Sequence, residues 1–251
     1  MQDQLVYFPS RSALPPAASV LPGAQDVTLT TRDGLELVAW FVPPSPDAPA
    51  RDQAVLLAHG NGGALSGRAS LAAELADRGF AVLMLGYRGY SQNPGTPSEE
   101  GLILDALAGQ QELAARGFPA ERTIYLGESI GTGVVTGLAA QVPPAGLVLR
   151  SPFTSLHDVA TTVVPVPSLV RFILDRNRYP VEEQVAISDV PTAVLYGTTD
   201  DTVPAAQSIA VAAAAQNLVE EVEIKGVGHN DALWLGSTVA DAVVRLADSV
   251  A

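Results

Sequence analysis

The alternation of short apolar runs with longer helix-like segments constrains this chain more than any other feature of its sequence. From residue 54 onward, runs rich in Val, Leu and Ile are separated by segments rich in Ala, Leu and Glu with helical spacing. This alternation is typical of the α/β class, in which a mostly parallel sheet carries helices on both faces. The predicted strands are Ala54–Ala58, Ala81–Leu85, Thr123–Gly127, Gly146–Arg150, Thr192–Tyr196 and Val222–Lys225.

Two apolar runs near the start of the chain predict an antiparallel edge to this sheet. Val27–Thr31 and Leu35–Val42 flank the dipeptide Asp33-Gly34. Both residues of the dipeptide tolerate a positive φ, so they favour a tight turn between antiparallel strands. We therefore expect a hairpin here.

A helix start is marked unusually well in the middle of the chain. Thr96 is a candidate N-cap, Pro97 suits a first turn, and Glu99 can complete a capping box. The pattern predicts a helix over Gly101–Arg116.

The length of 251 residues, with no sign of a second core, predicts a single domain over residues 1–251. The segment 152–187 departs from the alternation because Pro165, Pro167 and Pro180 interrupt its apolar residues. It is too long for a simple connection between two strands. We expect it to form a small cap above the sheet.

Composition excludes several kinds of partner. A net charge of −13 disfavours nucleic acid and anionic membrane surfaces. The chain has no cysteine, and His59, His157 and His229 lack metal-ligand spacing, so we expect no disulfide and no metal. It shows neither a signal peptide nor an apolar stretch of about 18 residues, which predicts no membrane segment and a cytoplasmic location. The oligomeric state stays open.

The sharpest chemical motif is the G-x-S-x-G run at 127–131. It follows the strand-like run Thr123–Leu126 and precedes the helix-like run Thr132–Gln141, which is the context that a nucleophile elbow requires. A strand that turns abruptly into a helix forces the serine into a strained backbone conformation, and glycines two places away permit the close approach. Ser129 is the predicted nucleophile.

A serine nucleophile needs a base, and with this motif the chain order is nucleophile, acid, base. His229 fits that order, because it follows the last predicted strand and precedes the final helix. The acid should follow the strand Thr192–Tyr196, where Asp200 and Asp201 compete. The spacing from Gly197 and Pro204 favours Asp200.

The tetrahedral intermediate of acyl transfer needs hydrogen-bond donors for its oxyanion. One candidate is the backbone N–H of Ile130, directly after the nucleophile. The other is the backbone N–H of Asn61, in the glycine-rich loop that follows Ala54–Ala58. A plain glycine turn is the alternative for this loop.

Taken together, six motifs resemble one branch of the α/β-hydrolases, the branch that holds bacterial carboxylesterases and eukaryotic protein depalmitoylases. The similarity extends from LVYFP at residues 5–9 to the last helix. It implies a Ser-Asp-His triad, no cofactor, and hydrolysis of acyl esters or thioesters. The motifs are HGNGG at 59–63, YRGY at 87–90, PSEEGL at 97–102, GESIG at 127–131, GTTDDTVP at 197–204 and GHND at 228–231.

Departures from the branch pattern are mild and leave the triad intact. Ser91 stands where glycine is usual, Gly86 replaces a common aspartate, and Gly62-Gly63 replaces an alanine-glycine pair. They bear on substrate detail and not on the chemistry. The membrane attachment of the depalmitoylases rests on an N-terminal cysteine cluster, which a chain without cysteine lacks.

The expected function is hydrolysis of small-molecule carboxylic esters with short to medium acyl chains. A thioesterase or amidase acting on acyl-proteins or acyl-carriers would use the same residues, and a non-catalytic binding protein of the same fold is a third possibility. The candidate substrate-contacting residues are Phe153, Val164, Leu169 and Phe172.

Overall fold

The computed structural model describes residues 6–163 and 176–250. Its strands, in chain order, are β1 (Phe8–Pro9), β2 (Gln25–Thr30), β3 (Glu36–Val42), β4 (Ala54–Ala58), β5 (Gly62–Gly63), β6 (Ala81–Met84), β7 (Thr123–Glu128), β8 (Gly146–Arg150), β9 (Thr192–Gly197) and β10 (Leu218–Ile224). Eight of them form one mixed sheet in the order β10-β9-β8-β7-β4-β6-β3-β2. β1 and β5 pair separately as a short parallel ribbon.

The α-helices are α1 (Ala17–Val20), α2 (Ala69–Asp77), α3 (Glu99–Ala115), α4 (Ile130–Ala139), α5 (Leu156–Val163), α6 (Val181–Ala186), α7 (Ala205–Ala214) and α8 (Ser237–Ser249). Short 3₁₀ turns cover Leu65–Arg68, Ala120–Arg122 and Ala232–Leu235. The α/β class predicted from the sequence is confirmed.

Two apolar cores lie on opposite faces of the sheet. Successive residues of a strand point to opposite faces, so Leu56 joins the core under α3, α4, α6 and α7, whereas Val55 and Leu57 join the core under α2 and α8. The central strands are buried along their whole length. Burial on both faces explains their continuous apolar runs.

The predicted antiparallel edge is confirmed. β2 pairs antiparallel with β3, and β3 pairs antiparallel with β6, while the other neighbours in the sheet are parallel. The turn between β2 and β3 contains Gly34 with φ +85°. A positive φ costs glycine little, which suits this position.

The N-cap of α3 corrects one prediction. Ser98, not Thr96, caps the helix, because its extended backbone lets Oγ accept a hydrogen bond from the N–H of Gly101 at 3.1 Å. The helix therefore begins at Glu99, two residues before the predicted start. Glu99 contacts a different segment, since its carboxylate accepts from the backbone N–H of Arg178 at 2.5 Å.

Most other element ends differ from the predictions by one or two residues, and β10 and α4 are two of the differences. The last strand begins at Leu218 and ends at Ile224, whereas Val222–Lys225 was expected. β10 lies at the edge of the sheet as far as the chain is described, pairs there with β9 and keeps much of its surface exposed, so it needs no continuous apolar run. α4 begins directly after Ser129 and not at Thr132.

The segment 152–187 contains α5 and α6 on either side of residues that lie outside the described part of the chain. Val164, Leu169 and Phe172, three of the candidate substrate-contacting residues, fall among them. The described part of the segment packs on the sheet through buried Phe153, Val181 and Val185.

Candidate active site

Ser129 stands at a tight elbow between β7 and α4. Its backbone has φ 53° and ψ −120°, a strained conformation for a residue with a side chain. The flanking glycines are required by contact: a Cβ on Gly127 would lie 2.5 Å from the carbonyl oxygen of Gly131, and a Cβ on Gly131 would lie 2.2 Å from that of Ala58. The backbone N–H of Ser129 donates to the carbonyl of Arg150 at 2.9 Å, which ties the elbow to β8.

Asp200 and His229 meet across the turns that follow β9 and β10. Nδ1 of His229 lies 2.7 Å from Oδ2 of Asp200, and both side chains are buried. The other carboxylate oxygen of Asp200 accepts from the backbone N–H groups of Thr202 at 3.0 Å and Val203 at 2.7 Å. Asp201 is exposed and accepts only a 3.3 Å bond from the Thr202 hydroxyl within the described residues.

The environment keeps Asp200 ionised. Burial on its own raises the pKa of a carboxyl, but the hydrogen bonds from His229 and from the backbone of Val203 hold the pKa of Asp200 below its usual value. A carboxylate accepts and does not donate, so Nδ1 of a neutral His229 carries the proton. Nε2 then keeps its lone pair.

A cavity of about 400 Å³ brings the predicted groups together. It is lined by Ser129, Ile130, Asn61, His229 and Phe153, all of which were singled out from the sequence. Ser129 is partly exposed in it. The nucleophile and base candidates therefore open onto one space.

The glycine-rich loop after β4 is held by its own asparagine. Nδ2 of Asn61 donates to the carbonyl of Val6 at 2.5 Å, and Oδ1 accepts from the N–H of Phe8 and the hydroxyl of Tyr90. In the described parts of the chain, the backbone N–H groups of Asn61 and Ile130 donate to no protein acceptor. Both N–H groups are therefore available as donors.

A buried ion cluster lies directly beneath the elbow. Glu128 and Arg150 are register partners at the ends of β7 and β8, with Nη2 of Arg150 3.5 Å from Oε2 of Glu128. Nε of Arg68 donates to the same oxygen at 2.6 Å. Burial by itself raises the pKa of Glu128, but the two guanidinium groups lower it below its usual value. Glu128 is therefore a carboxylate.

This cluster also reaches the histidine loop. Nη1 of Arg150 donates to the backbone carbonyl of His229 at 3.1 Å, and Nε1 of Trp234 donates to the carbonyl of Gly228 at 2.8 Å. Neither Arg150 nor Arg68 was predicted from the sequence to belong to the site. Two apolar strand runs each end in a charged residue, Glu128 and Arg150, and this was the signal in the sequence that could have indicated the ion pair.

The other two histidines lie apart from the Asp200–His229 pair. His59 is buried against the rings of Tyr87 and Tyr90, with ring centroids 4.3 and 5.5 Å away. Its burial lowers the pKa of the imidazole to about 4, so it is neutral at physiological pH. His157 lies on α5 and is partly exposed.

Two searches of the described residues bear on cofactors and membranes. Across 6–163 and 176–250, no group of three or more His, Cys, Asp or Glu side chains could hold a metal ion. No helix in the same ranges combines the length and the apolar character needed to cross a bilayer.

The fold, with its elbow and facing carboxylate–imidazole pair, defines an α/β hydrolase. The model of the family described as serine aminopeptidase, S33, matches residues 49–177, just over half of the chain. An uncharacterised protein of Mycobacterium tuberculosis is 45% identical over 246 residues, which cover 97% of this chain and 86% of that protein. The chain belongs to this S33 family within the α/β-hydrolase superfamily.

More distant similarities agree with the fold. The α/β hydrolase domain-containing protein WAV2 of Arabidopsis thaliana is 28% identical over 224 residues, covering 81% of this chain and 72% of that protein. The structure of an esterase of Pyrococcus furiosus superposes with a TM-score of 0.75 at 19% identity, covering 96% of this chain and 99% of the esterase. At that identity the similarity shows the architecture alone.

Proposed function

We propose that this chain is a serine hydrolase that cleaves carboxylic esters with short to medium acyl chains. The observation that carries the proposal is the convergence on one cavity of a strained Ser129 and of His229, whose Nδ1 lies 2.7 Å from the Asp200 carboxylate. Each of the three has the chemical character that its role demands.

In this proposal, Nε2 of His229 takes the proton of the Ser129 hydroxyl as the oxygen attacks the ester carbonyl. The imidazolium then gives that proton to the leaving alcohol, which leaves an acyl-enzyme. A water molecule, deprotonated by the same nitrogen, then attacks the acyl carbon. The bond to Oγ breaks, the imidazolium returns its proton to Ser129, and the acid is released. Asp200 holds the ring in the tautomer that the first step requires and stabilises the imidazolium.

The two tetrahedral intermediates carry a negative oxygen. The free N–H groups of Asn61 and Ile130 are the proposed donors to it, and Ile130 lies at the N-terminus of α4, where the helix dipole adds favourable charge. The hydrogen bonds from Tyr90 to Asn61 fix the loop before substrate arrives. Such preorganisation lowers the cost of reaching the transition state.

The cavity supports a limit on acyl length. Its described apolar lining includes Phe153, Leu156 and Val159, and its volume is about 400 Å³. Each buried methylene adds up to about 0.8 kcal/mol, so kcat/KM should grow with chain length until the cavity is full and then stop growing. We expect the best substrates to have about two to eight acyl carbons.

Hydrolysis of p-nitrophenyl esters from acetate to palmitate tests the proposal. The wild type should turn over the shorter esters, and Ser129→Ala should lose at least about a thousandfold in kcat while its thermal unfolding is unchanged. A profile that climbs as far as palmitate would contradict the acyl limit. Activity confined to acyl thioesters or to aminoacyl amides, tested in parallel, would favour the thioesterase or amidase alternative.

A further inference from the structure

The charge of the cavity is opposite to that of the molecule. The chain carries a net charge of −13, yet the described residues that line the cavity include Arg68 and Arg150 and no carboxylate. The acidic side chains nearby, Glu128 and Asp200, are buried behind the lining. The charged side chains that line this cavity are therefore guanidinium groups.

Arg68 has hydrogen-bond donors that are not used within the described residues. Its Nε is committed to Glu128, but within the described residues Nη1 and Nη2 have no hydrogen-bond acceptor. The side chain is 18% exposed and borders the cavity. A guanidinium whose two Nη groups are free suits a carboxylate or a phosphate.

Arg68 also lies close to the nucleophile. A Cβ placed on Gly60 would lie 3.4 Å from Nη2 of Arg68 and 3.6 Å from Cβ of Ser129. The guanidinium of Arg68 and the side chain of Ser129 therefore border the same small space beside Gly60. That space is kept open by the missing side chain of Gly60.

Arg68 is the guanidinium group of this cluster that keeps free donors. Glu128 supplies one negative charge, and Arg68 and Arg150 supply two positive charges. Arg150 is buried and already donates to the backbone of the histidine loop. Asp200 supplies a second negative charge, but it is buried and its oxygens are taken by His229, Thr202 and Val203, so the free donors of this cluster lie on Arg68.

We propose that Arg68 forms a subsite for an anionic group, and that the ester cleaved at Ser129 carries a carboxylate or a phosphate close to its scissile carbonyl. This inference rests on the proposed function and names its substrate class. Charge-assisted hydrogen bonds would hold the anion while His229 and Ser129 act on the ester.

Matched pairs of esters test the subsite in the wild type. Monomethyl glutarate against dimethyl glutarate compares a carboxylate with its neutral ester. 1-Acetylglycerol 3-phosphate against 1-acetylglycerol makes the same comparison for a phosphate. We expect the charged member of at least one pair to have a kcat/KM about tenfold or more higher, and the pair that shows it identifies the anion. Equal or lower values for both charged esters would overturn the inference.

Variants of Arg68 test its part in that preference. Arg68→Gln should lower kcat/KM for the charged ester by about tenfold or more beyond any loss on the neutral one, mainly through KM. Arg68→Lys, which keeps the charge, should retain part of the preference, and Arg245→Gln, at an exposed arginine on α8, should keep all of it. Equal losses on both esters would show that Arg68 serves only to neutralise Glu128.

A binding measurement separates this inference from the proposed function. Calorimetric titration of Ser129→Ala with monomethyl and dimethyl glutarate, and with the phosphate pair, needs no turnover. Preferential binding of an anionic ester, lost when Arg68→Gln is added, supports the subsite even if the wild type hydrolyses no ester. Hydrolysis of neutral esters by the wild type without any anion preference in binding or turnover would leave the proposed function standing and refute the subsite.

Discussion

Replacing Asp200 by asparagine tests the division of labour between the two adjacent aspartates. In the wild type, Oδ1 of Asp200 accepts two backbone N–H bonds and Oδ2 faces Nδ1 of His229 at 2.7 Å. In Asp200→Asn, the amide oxygen should stay with the two backbone N–H groups, because an NH₂ there would face two donors. The amide nitrogen must then face Nδ1 of His229.

That geometry sets the size of the effect. An amide NH₂ donates, so Nδ1 becomes the acceptor and the ring proton moves to Nε2, which removes the base. The same substitution in another serine hydrolase triad lowers kcat about 10⁴-fold. We expect a comparable loss here, equivalent to about 5 kcal/mol in the activation free energy.

The assay is kcat for p-nitrophenyl butyrate, with the concentration of folded protein measured independently. Asp201→Asn is the matched control, because Asp201 is exposed and makes no contact with His229 in the described structure. It should retain activity within about threefold. If Asp201→Asn lost its activity while Asp200→Asn stayed active, the reasoning would be refuted and Asp201 would be the acid of the triad.

Two further predictions concern stability, and urea unfolding measures both. Burial lowers the pKa of His59 from 6.5 to about 4, so the folded state resists a proton that the unfolded state accepts, and stability is lost as pH falls from about 6.5 toward 4. His59→Gln should remove ~2 kcal/mol of the loss in stability between pH 7.5 and 5, and equal slopes in wild type and His59→Gln would contradict this. Gly131→Ala should cost about 3 kcal/mol or more, because its Cβ meets the Ala58 carbonyl oxygen at 2.2 Å. Gly67→Ala, where a Cβ meets nothing within 4 Å, should cost little, and equal costs would refute the contact argument.

Much of the fold could be predicted because its signals are local. Ala54–Ala58 and Gly146–Arg150 are strands with the predicted bounds, since central strands buried on both faces read as short continuous apolar runs. The bounds of the edge strand β10 were not predicted correctly, because exposed Glu residues interrupt its apolar residues. The α3 cap was displaced because Thr96 and Ser98 are both good caps, and only the backbone conformation selects between them.

The proposed triad was found by motif and chain order, and those signals are also local. Arg68, Arg150 and the contact of Phe8 with Asn61 depend on segments that are distant in sequence and meet only in the folded chain. No periodicity marks such partners. The parallel register of β7 and β8 places Glu128 beside Arg150. If that register were known, the contact between these two residues could be predicted.

The central claim is that Ser129 is an activated nucleophile, and covalent labelling tests it most directly. The folded protein is treated with a fluorophosphonate, and the modified residue is located by mass spectrometry of its peptides. We predict one adduct per chain, on Ser129, and none on the Ser129→Ala protein. An unlabelled wild type that is folded, or an adduct on another serine, would contradict the account.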